Sequence, residues 1–158
     1  MINPSKFYNL LIKYEVIFRT SPPILNLVPL NGGIMKVQLN IDLKPHPQFG
    51  NTKARIREWY DSNGHLIQYR YCWEEKSDPS GNICSFENEH NHGVATDPHH
   101  THPVINDRKP CDNNYNVRSV DDFLNFVSQY ILTGENYVSS ILNPTLTSTK
   151  NPHKRASK

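Results

Sequence analysis

The stretch ARIREWYDSNGHLIQYRYCWEE, residues 54–75, decides the fold of this chain. Two runs that suit extended strands lie on either side of Asn63-Gly64. Both residues of this pair tolerate positive φ, the backbone conformation that tight hairpin turns require. The stretch therefore predicts a β-hairpin within an antiparallel sheet.

Each side of the hairpin continues into another predicted strand. Upstream, GGIMKVQLNIDLKP (residues 32–45) alternates apolar and polar residues with period two, which is typical of a half-buried strand. Downstream, SDPSG (77–81) predicts a turn and NICSF (82–86) predicts the returning strand. Together these elements predict a four-stranded antiparallel β-meander.

Helices are predicted on both sides of the meander. Apolar residues between Pro4 and Phe18 recur at spacings of three and four, the period of an amphipathic helix. In SVDDFLNFVSQYI (119–131), Ser119 precedes Asp122 in an N-cap pattern and an apolar helical face follows. The sequence predicts one α+β domain over residues 1–142, in which a His-rich loop precedes the C-terminal helix, and a disordered basic tail at 143–158.

Composition limits the classes of function. The net charge of +2 at pH 7 excludes the global positive field of a histone-like nucleic-acid binder. Three cysteines without CxxC spacing favour a reducing compartment, so we expect the cytoplasm. No stretch has the pattern of a signal peptide or of a membrane span, so we expect no membrane partner.

Histidines concentrate in one segment, HNHGVATDPHHTHP, which runs from His90 to Pro103 and holds five of the eight histidines of the chain. A neutral imidazole both donates and accepts hydrogen bonds, and its pKa lies near 6.5. Such a cluster suits proton transfer, metal ligation or phosphate binding better than it suits packing.

Several motifs surround this cluster: IREWYD (56–61), YRYCWEE (69–75), FENEHNH (86–92), TDPHHTHP (96–103) and SVDDFLNFV (119–127). Over about residues 25–132 these motifs resemble the toxins of TumE-type toxin–antitoxin modules. The chain departs from the family pattern at Ser85, Glu87, His90, Asn91 and Asp97. The resemblance implies a small toxin that acts on RNA and is neutralised by a cognate antitoxin protein. The predicted architecture is also similar to that of barnase-like and RelE-like ribonucleases, which is an analogy of fold alone.

RNA cleavage without a metal needs a base for the 2′-hydroxyl proton, an acid for the 5′-oxygen and a cation for the phosphorane charge. The predicted catalytic residues are His99, His100, His102, Arg57, Glu58 and Tyr71. In an extended segment His100 and His102 point to the same side and His99 points away, so we favour the first two, with His99 as support. Arg57 and Glu58 alternate in the same way, so only one of them can face the ligand.

Substrate contacts are predicted at Tyr69, Trp73 and Asn88, the last from the Asn-x-x-x-His element of the resemblance. Tyr69, Tyr71 and Trp73 share one side of their strand, where they could stack on the bases of single-stranded RNA. The same row could instead be the core face of the sheet, and burial decides between the two. His46, His65 and His153 lie in turn-rich or terminal segments and are expected to be solvated.

Metal binding is the alternative chemistry. The pairs His90-x-His92 and His100-x-His102 each place two imidazoles on one side of an extended segment, and zinc takes three or four such ligands. Glu87, Asp97 or Cys84 could complete the ligand set. The chain would then be a zinc nuclease, whereas acid–base chemistry needs no cofactor. A third alternative is a non-enzymatic subunit of a defence or nucleic-acid complex, and the sequence leaves a homodimer open.

Overall fold

An antiparallel sheet of six strands forms the centre of the molecule, and its strands follow one another in chain order. The computed structural model describes residues 2–20, 23–77, 81–107, 114 and 116–138. The strands are β1 (Asn26–Pro29), β2 (Met35–Asp42), β3 (Thr52–Tyr60), β4 (Leu66–Glu75), β5 (Asn82–Glu87) and β6 (His100–His102), and the helices are α1 (Pro4–Lys13) and α2 (Val120–Thr133). The predicted tail at 143–158 and the domain boundary at 142 lie outside the described residues.

The predicted α+β class, the meander and the two flanking helices are confirmed, but the count of four strands is wrong. The two additional strands are the edges β1 and β6. All four residues of β1 are exposed and the strand ends at Pro29, so no alternation marks it. β6 has only three residues and lies in the segment predicted to be a loop. Both are visible only through their pairing with β2 and β5.

The predicted hairpin is formed by β3 and β4, which pair from Thr52 and Glu75 to Tyr60 and Leu66. Its loop is longer than a two-residue turn. Of the Asn63-Gly64 pair only Gly64 has positive φ, at 85°. The Asp61 carboxylate accepts the backbone N–H groups of Asn63 and His65, both at 2.9 Å, and so holds the loop closed.

Both helices begin at a side-chain cap and pack on the same face of the sheet. Asn3 caps α1 by accepting the N–H of Ser5 at 3.0 Å, and Ser119 caps α2 by accepting the N–H of Asp122 at 3.1 Å. The ring of Phe7 in α1 packs edge-on against Tyr60, with centroids 6.5 Å apart. The helices therefore cover one face of the sheet, which we call the core face, and leave the opposite face, the open face, uncovered by either helix.

Strict alternation along β3 separates these faces. The core face of β3 carries buried residues, including Ala54, Ile56 and Glu58, whereas the residues between them are only partly buried. The register continues this division across the sheet. On the open face, Gln38, Arg57, Arg70, Glu87 and His100 are successive cross-strand partners from β2 to β6. We call this line the cross-sheet row.

Phe123 is the residue of α2 that joins the helix to the core face. Its ring is fully buried and stacks on Tyr71 with centroids 5.5 Å apart. We expect Phe123→Ala to lower the free energy of unfolding by about 3–5 kcal/mol, because it leaves a cavity between helix and sheet. Leu132→Ala, at a residue that is 58% exposed on the same helix, should change it by no more than about 0.5 kcal/mol. Equal effects of the two substitutions in urea unfolding would contradict this packing.

Candidate functional site

Two buried histidines converge on one carboxylate at the β6 edge of the open face. The β5–β6 pairing sets Glu87 opposite His100 and Ser85 opposite His102. The Nε2 atom of His102 lies 2.5 Å from Oε1 of Glu87, and Nε2 of His100 lies 3.4 Å from the same oxygen. The prediction that His100 and His102 share a side is confirmed.

His92 extends this cluster toward solvent. Its ring lies 4.4 Å from that of His100 and 6.4 Å from that of His102, and the ring of His90 follows at 6.3 Å. The Asp97 carboxylate holds the loop in place by accepting the N–H groups of His92, Gly93 and Val94. Gly93 has φ of 75°, so the turn between His92 and Val94 requires a residue without a side chain.

Arg70 supplies positive charge beside the carboxylate. Its Nε lies 3.2 Å from Glu87 Oε2, and its Nη1 donates to Glu89 at 3.2 Å. A groove of about 400 Å³ opens over this cluster and is lined by Arg55, Arg70, Glu74, Glu87, His92 and His102. Phosphate charge, a carboxylate and imidazoles can therefore meet in one concave space.

Burial and hydrogen bonding oppose each other at Glu87. Burial alone would raise the pKa of its carboxyl, but hydrogen bonds from His100 and His102 and the charge of Arg70 hold that pKa well below its usual range. Burial likewise disfavours the charged form of His100, yet its contact with Glu87 raises the pKa of the imidazole overall. Glu87 is therefore a carboxylate at neutral pH and a strong acceptor for both histidines.

The sheet divides the predicted catalytic set between its faces. Arg57 lies on the open face with His100 and His102, whereas Glu58 and Tyr71 lie on the core face. Glu58 is 2% exposed and accepts the hydroxyls of Tyr60 and Tyr71 at 2.6 and 2.5 Å. Glu58 and Tyr71 therefore cannot act on the same phosphate as His102.

The row of Tyr69, Tyr71 and Trp73 is the core face of β4. All three rings are at most 1% exposed, so a base cannot stack on Tyr69 or Trp73, and their predicted substrate role is wrong for this reason. His99 points to the same side, where its Nδ1 lies 2.9 Å from the Tyr69 hydroxyl. It fixes the loop to the core and is separated from His100 and His102 by the sheet.

Asn88 has a structural role at the end of β5. Its side-chain oxygen accepts the N–H of Tyr69 at 2.7 Å, and its amide donates to the carbonyl of Ile67 at 3.3 Å. These bonds continue the pairing of β4 beyond the last residue of β5. The contact between Asn88 and substrate that the motif implies stays a prediction. Such a contact would compete with the backbone partners that both polar groups of Asn88 already have.

A metal could be held by Glu87, His100 and His102, whose ligand atoms lie within 4.8 Å of one another. In the described parts of the chain, no other three His, Cys, Asp or Glu side chains bring their ligand atoms so close together. Of the other predicted metal ligands, His92 lies outside this group, although its ring centre is 4.4 Å from that of His100, and His90 lies one ring further out. Cys84 is fully buried in the core cluster, opposite Trp73, and Asp97 is occupied by loop amides.

A family model described as Toxin TumE matches residues 36–131 of this chain. The chain belongs to the TumE toxin family. The matched range begins in β2 and ends in α2, so it contains the whole histidine cluster and both faces of the sheet. Comparisons with curated proteins and with solved structures gave no match. Among the described residues of this TumE family member, no helix has the length and apolar character needed to cross a membrane.

Two residues of this toxin's site are not predicted to be catalytic from the sequence. The sequence patterns do not predict a role for Arg70, and they predict Glu87 only as a metal ligand. Their signal is the alternation of β4 and β5, which places both on the side opposite Tyr71 and Phe86. His46 was also misjudged: it is 1% exposed, its ring stacks on Phe49, and its Nε2 lies 3.0 Å from the carbonyl of Glu135. His65 is exposed as predicted, and His153 lies outside the described residues.

Glu58 generates a pH-dependent prediction for this toxin. Burial raises the pKa of its carboxyl, despite the opposing hydrogen bonds from Tyr60 and Tyr71. The unfolded chain therefore loses this proton first, and the folded state is progressively disfavoured as pH rises from about 4.5 through the raised pKa. We expect Glu58→Gln to gain stability relative to the parent between pH 4 and pH 7, by no more than about 1.4 kcal/mol per pH unit.

Tyr60→Phe is the matched comparison, because it removes a donor that favours the carboxylate. The stability of this variant should fall more steeply over the same pH range than that of the parent. Urea unfolding at several pH values measures both effects. Parallel pH profiles for parent and Glu58→Gln would show that Glu58 titrates alike in the folded and unfolded states.

Proposed function

We propose that this TumE family toxin cleaves RNA in the open-face groove and is neutralised by a cognate antitoxin protein. The observation that carries the proposal is the convergence of His100 and His102 on Glu87, beside Arg70, on the face that neither helix covers. Base, acid and cation are the three groups that RNA cleavage through the 2′-hydroxyl requires.

Position in the groove assigns each group its role. His102 lines the groove, and its Nε2 is paired with Glu87, so the 2′-hydroxyl proton passes to Nδ1, a buried atom that has no hydrogen-bond partner among the described residues. His92 is exposed at the rim of the same groove and protonates the 5′-oxygen. Arg70 faces the phosphate and offsets the charge of the phosphorane. Each positioned acid or base contributes roughly 10²- to 10⁴-fold to the rate.

His100 acts differently from the sequence prediction. It is 0% exposed, and its Nδ1 lies 3.0 Å from the carbonyl of Pro98, so it does not reach the groove. Its remaining nitrogen faces Glu87. In the proposed reaction His100 holds the carboxylate in place for His102 and does not itself transfer a proton to RNA.

The test is expression of the chain without an antitoxin, together with cleavage of RNA by the purified protein. We expect the parent to arrest growth, and we expect His102→Gln and Glu87→Gln to lose about 10²-fold or more of the cleavage rate. His65→Gln is the control, since His65 is exposed and lies in the hairpin loop, away from the groove. Thermal unfolding of each variant separates loss of chemistry from loss of fold. Undiminished toxicity of a folded His102→Gln variant would refute the proposed role.

A second candidate function, metal-dependent cleavage, is favoured by one specific feature. Histidines that bind metals usually donate their other ring N–H to a backbone carbonyl or a carboxylate, and the contact of His100 Nδ1 with Pro98 has this arrangement. A neutral His100 that donates its Nδ1–H to Pro98 would direct the lone pair of Nε2 toward Glu87, where a metal would bind. On this alternative, Glu87, His100 and His102 hold zinc and are no longer free for proton transfer.

Chelation distinguishes the two mechanisms. On the acid–base mechanism, a preparation dialysed against EDTA should keep its full cleavage rate, and calorimetric titration with Zn²⁺ should detect no stoichiometric binding. On the metal mechanism, the rate should fall at least about 10-fold and be restored by one equivalent of Zn²⁺, and His100→Ala should weaken Zn²⁺ binding to a similar extent. Restoration by Zn²⁺ would overturn the acid–base assignment while leaving RNA cleavage in place.

A further inference from the structure

Trp59 occupies an unusual position for a large aromatic residue. It lies on the open face of β3, opposite Lys36 on β2 and Gln68 on β4. No other aromatic residue of the Phe, Tyr or Trp type lies on the open face of the six described strands. The Trp59 side chain is partly exposed. The aromatic row of β4, in contrast, is turned entirely into the core.

Two cations flank this ring. The Nζ atom of Lys36 lies over the Trp59 ring, 5.0 Å from its centre, in a cation–π contact. Arg57 is two residues from Trp59 on the same strand and faces the same side, where it is paired directly with Arg70. Like charges at opposite positions of an antiparallel pair destabilise a sheet. The pairing of Arg57 with Arg70 therefore calls for a compensating negative charge.

Such compensation exists for Arg55 and Arg70 but not for Arg57 and Lys36. Arg55 pairs with Glu74, and Arg70 pairs with Glu87 and Glu89. Within the described parts of the chain, neither Arg57 nor Lys36 has a carboxylate within ion-pairing distance. An accessible aromatic ring between two uncompensated cations matches a ligand that combines a flat base with phosphate charge.

We propose that Trp59, with Lys36 and Arg57, forms a nucleobase-binding subsite for single-stranded RNA on the open face. This inference rests on the proposed function, because it assigns the subsite to the RNA that is cut in the groove. A base takes the place of the Lys36 ammonium over the ring of Trp59, and the flanking phosphates contact Arg57 and the displaced Lys36. Stacking of this kind tolerates every base, so the subsite contributes affinity and position and not sequence preference.

The register connects the subsite to the groove. Arg57, Arg70 and Glu87 are neighbours in the cross-sheet row, and Trp59 lies one step further along β3 on the same face. With strands about 4.8 Å apart and about 3.4 Å per residue, Trp59 lies about 16 Å from His100 and about 20 Å from His102. A few nucleotides of extended strand span this distance and pass over Arg57 and Arg70. A duplex keeps its bases stacked inside, so only a single strand can use the ring.

The experiment uses the whole chain and a short RNA oligonucleotide with 2′-O-methyl groups, which cannot be cleaved through the 2′-hydroxyl. The chain has two tryptophans, and Trp73 is fully buried, so quenching of fluorescence on binding reports on Trp59. We expect the single strand to quench this fluorescence and the same strand annealed to its complement to leave it unchanged.

Variants measure the contribution of each group. Trp59→Ala should bind the labelled single strand roughly 5- to 150-fold more weakly, and Trp59→Phe should recover part of this loss because it retains a stacking ring. Tyr8→Ala is the matched control, since Tyr8 is an aromatic residue that is 53% exposed on α1, a helix of the core face. Arg57→Gln should reduce the dependence of affinity on salt, as expected when one phosphate contact is lost.

The outcomes separate this subsite from the proposed function. If Trp59→Ala is folded and binds the single strand as tightly as the parent does, or if the duplex quenches equally, the subsite is refuted. Cleavage of unmodified RNA by the parent, measured in parallel, would then leave the proposed function intact. If the parent neither binds nor cleaves RNA, both proposals are refuted together.

Discussion

Side chains alternate between the two faces of the sheet. The successive pairings from β2 to β6 align the strands so that Glu87 and its cross-strand neighbours in the cross-sheet row all lie on the open face. A slip of one residue in any of these strands would turn its charged side chains into the core and its aromatic residues toward solvent. The irregularities in pairing, between Trp59 and Tyr60 and between Trp73 and Glu74, lie on either side of the cross-sheet row and leave it unbroken. This register allows one small sheet to build an apolar core and a charged groove on opposite faces.

The groove concentrates polar groups whose burial would be unfavourable without partners. Glu87 is only 6% exposed, and it is stabilised as a carboxylate by two imidazoles and a guanidinium. Removal of one partner from such a cluster leaves a buried charge that is only partly compensated. The cluster therefore stabilises the short strand β6 against β5 and at the same time presents the reactive groups of the groove. Structure and chemistry use the same contacts here.

The core face has its own polar group, and it follows the same physical rule. Glu58 accepts two tyrosine hydroxyls beneath the helices, and the Tyr69 hydroxyl is close to both His99 and the Asn114 amide. These hydrogen bonds satisfy groups that the alternation of β3 and β4 carries into the core. Residues of catalytic type thus occur on both faces, but only those of the open face border on Arg70 and the cross-sheet row.

Periodicity alone determined the central hairpin, the strands on either side of it and both helices, because these features depend on neighbours within a few residues. It also determined that His100 and His102 share a side that His99 does not. Tertiary structure alone decided which side that is. By pattern alone Tyr69 and Trp73 fit a stacking platform, but His99 and Asn114 lie against Tyr69, and Tyr130 of α2 lies against Trp73. His46 is buried beside Trp73 and bonds to the carbonyl of Glu135, which is 89 residues away in the chain. β6 has too few residues for a pattern and exists through its bonds to β5. Alternation separates side chains into two sets, but the packing of distant elements decides which set is withdrawn from water.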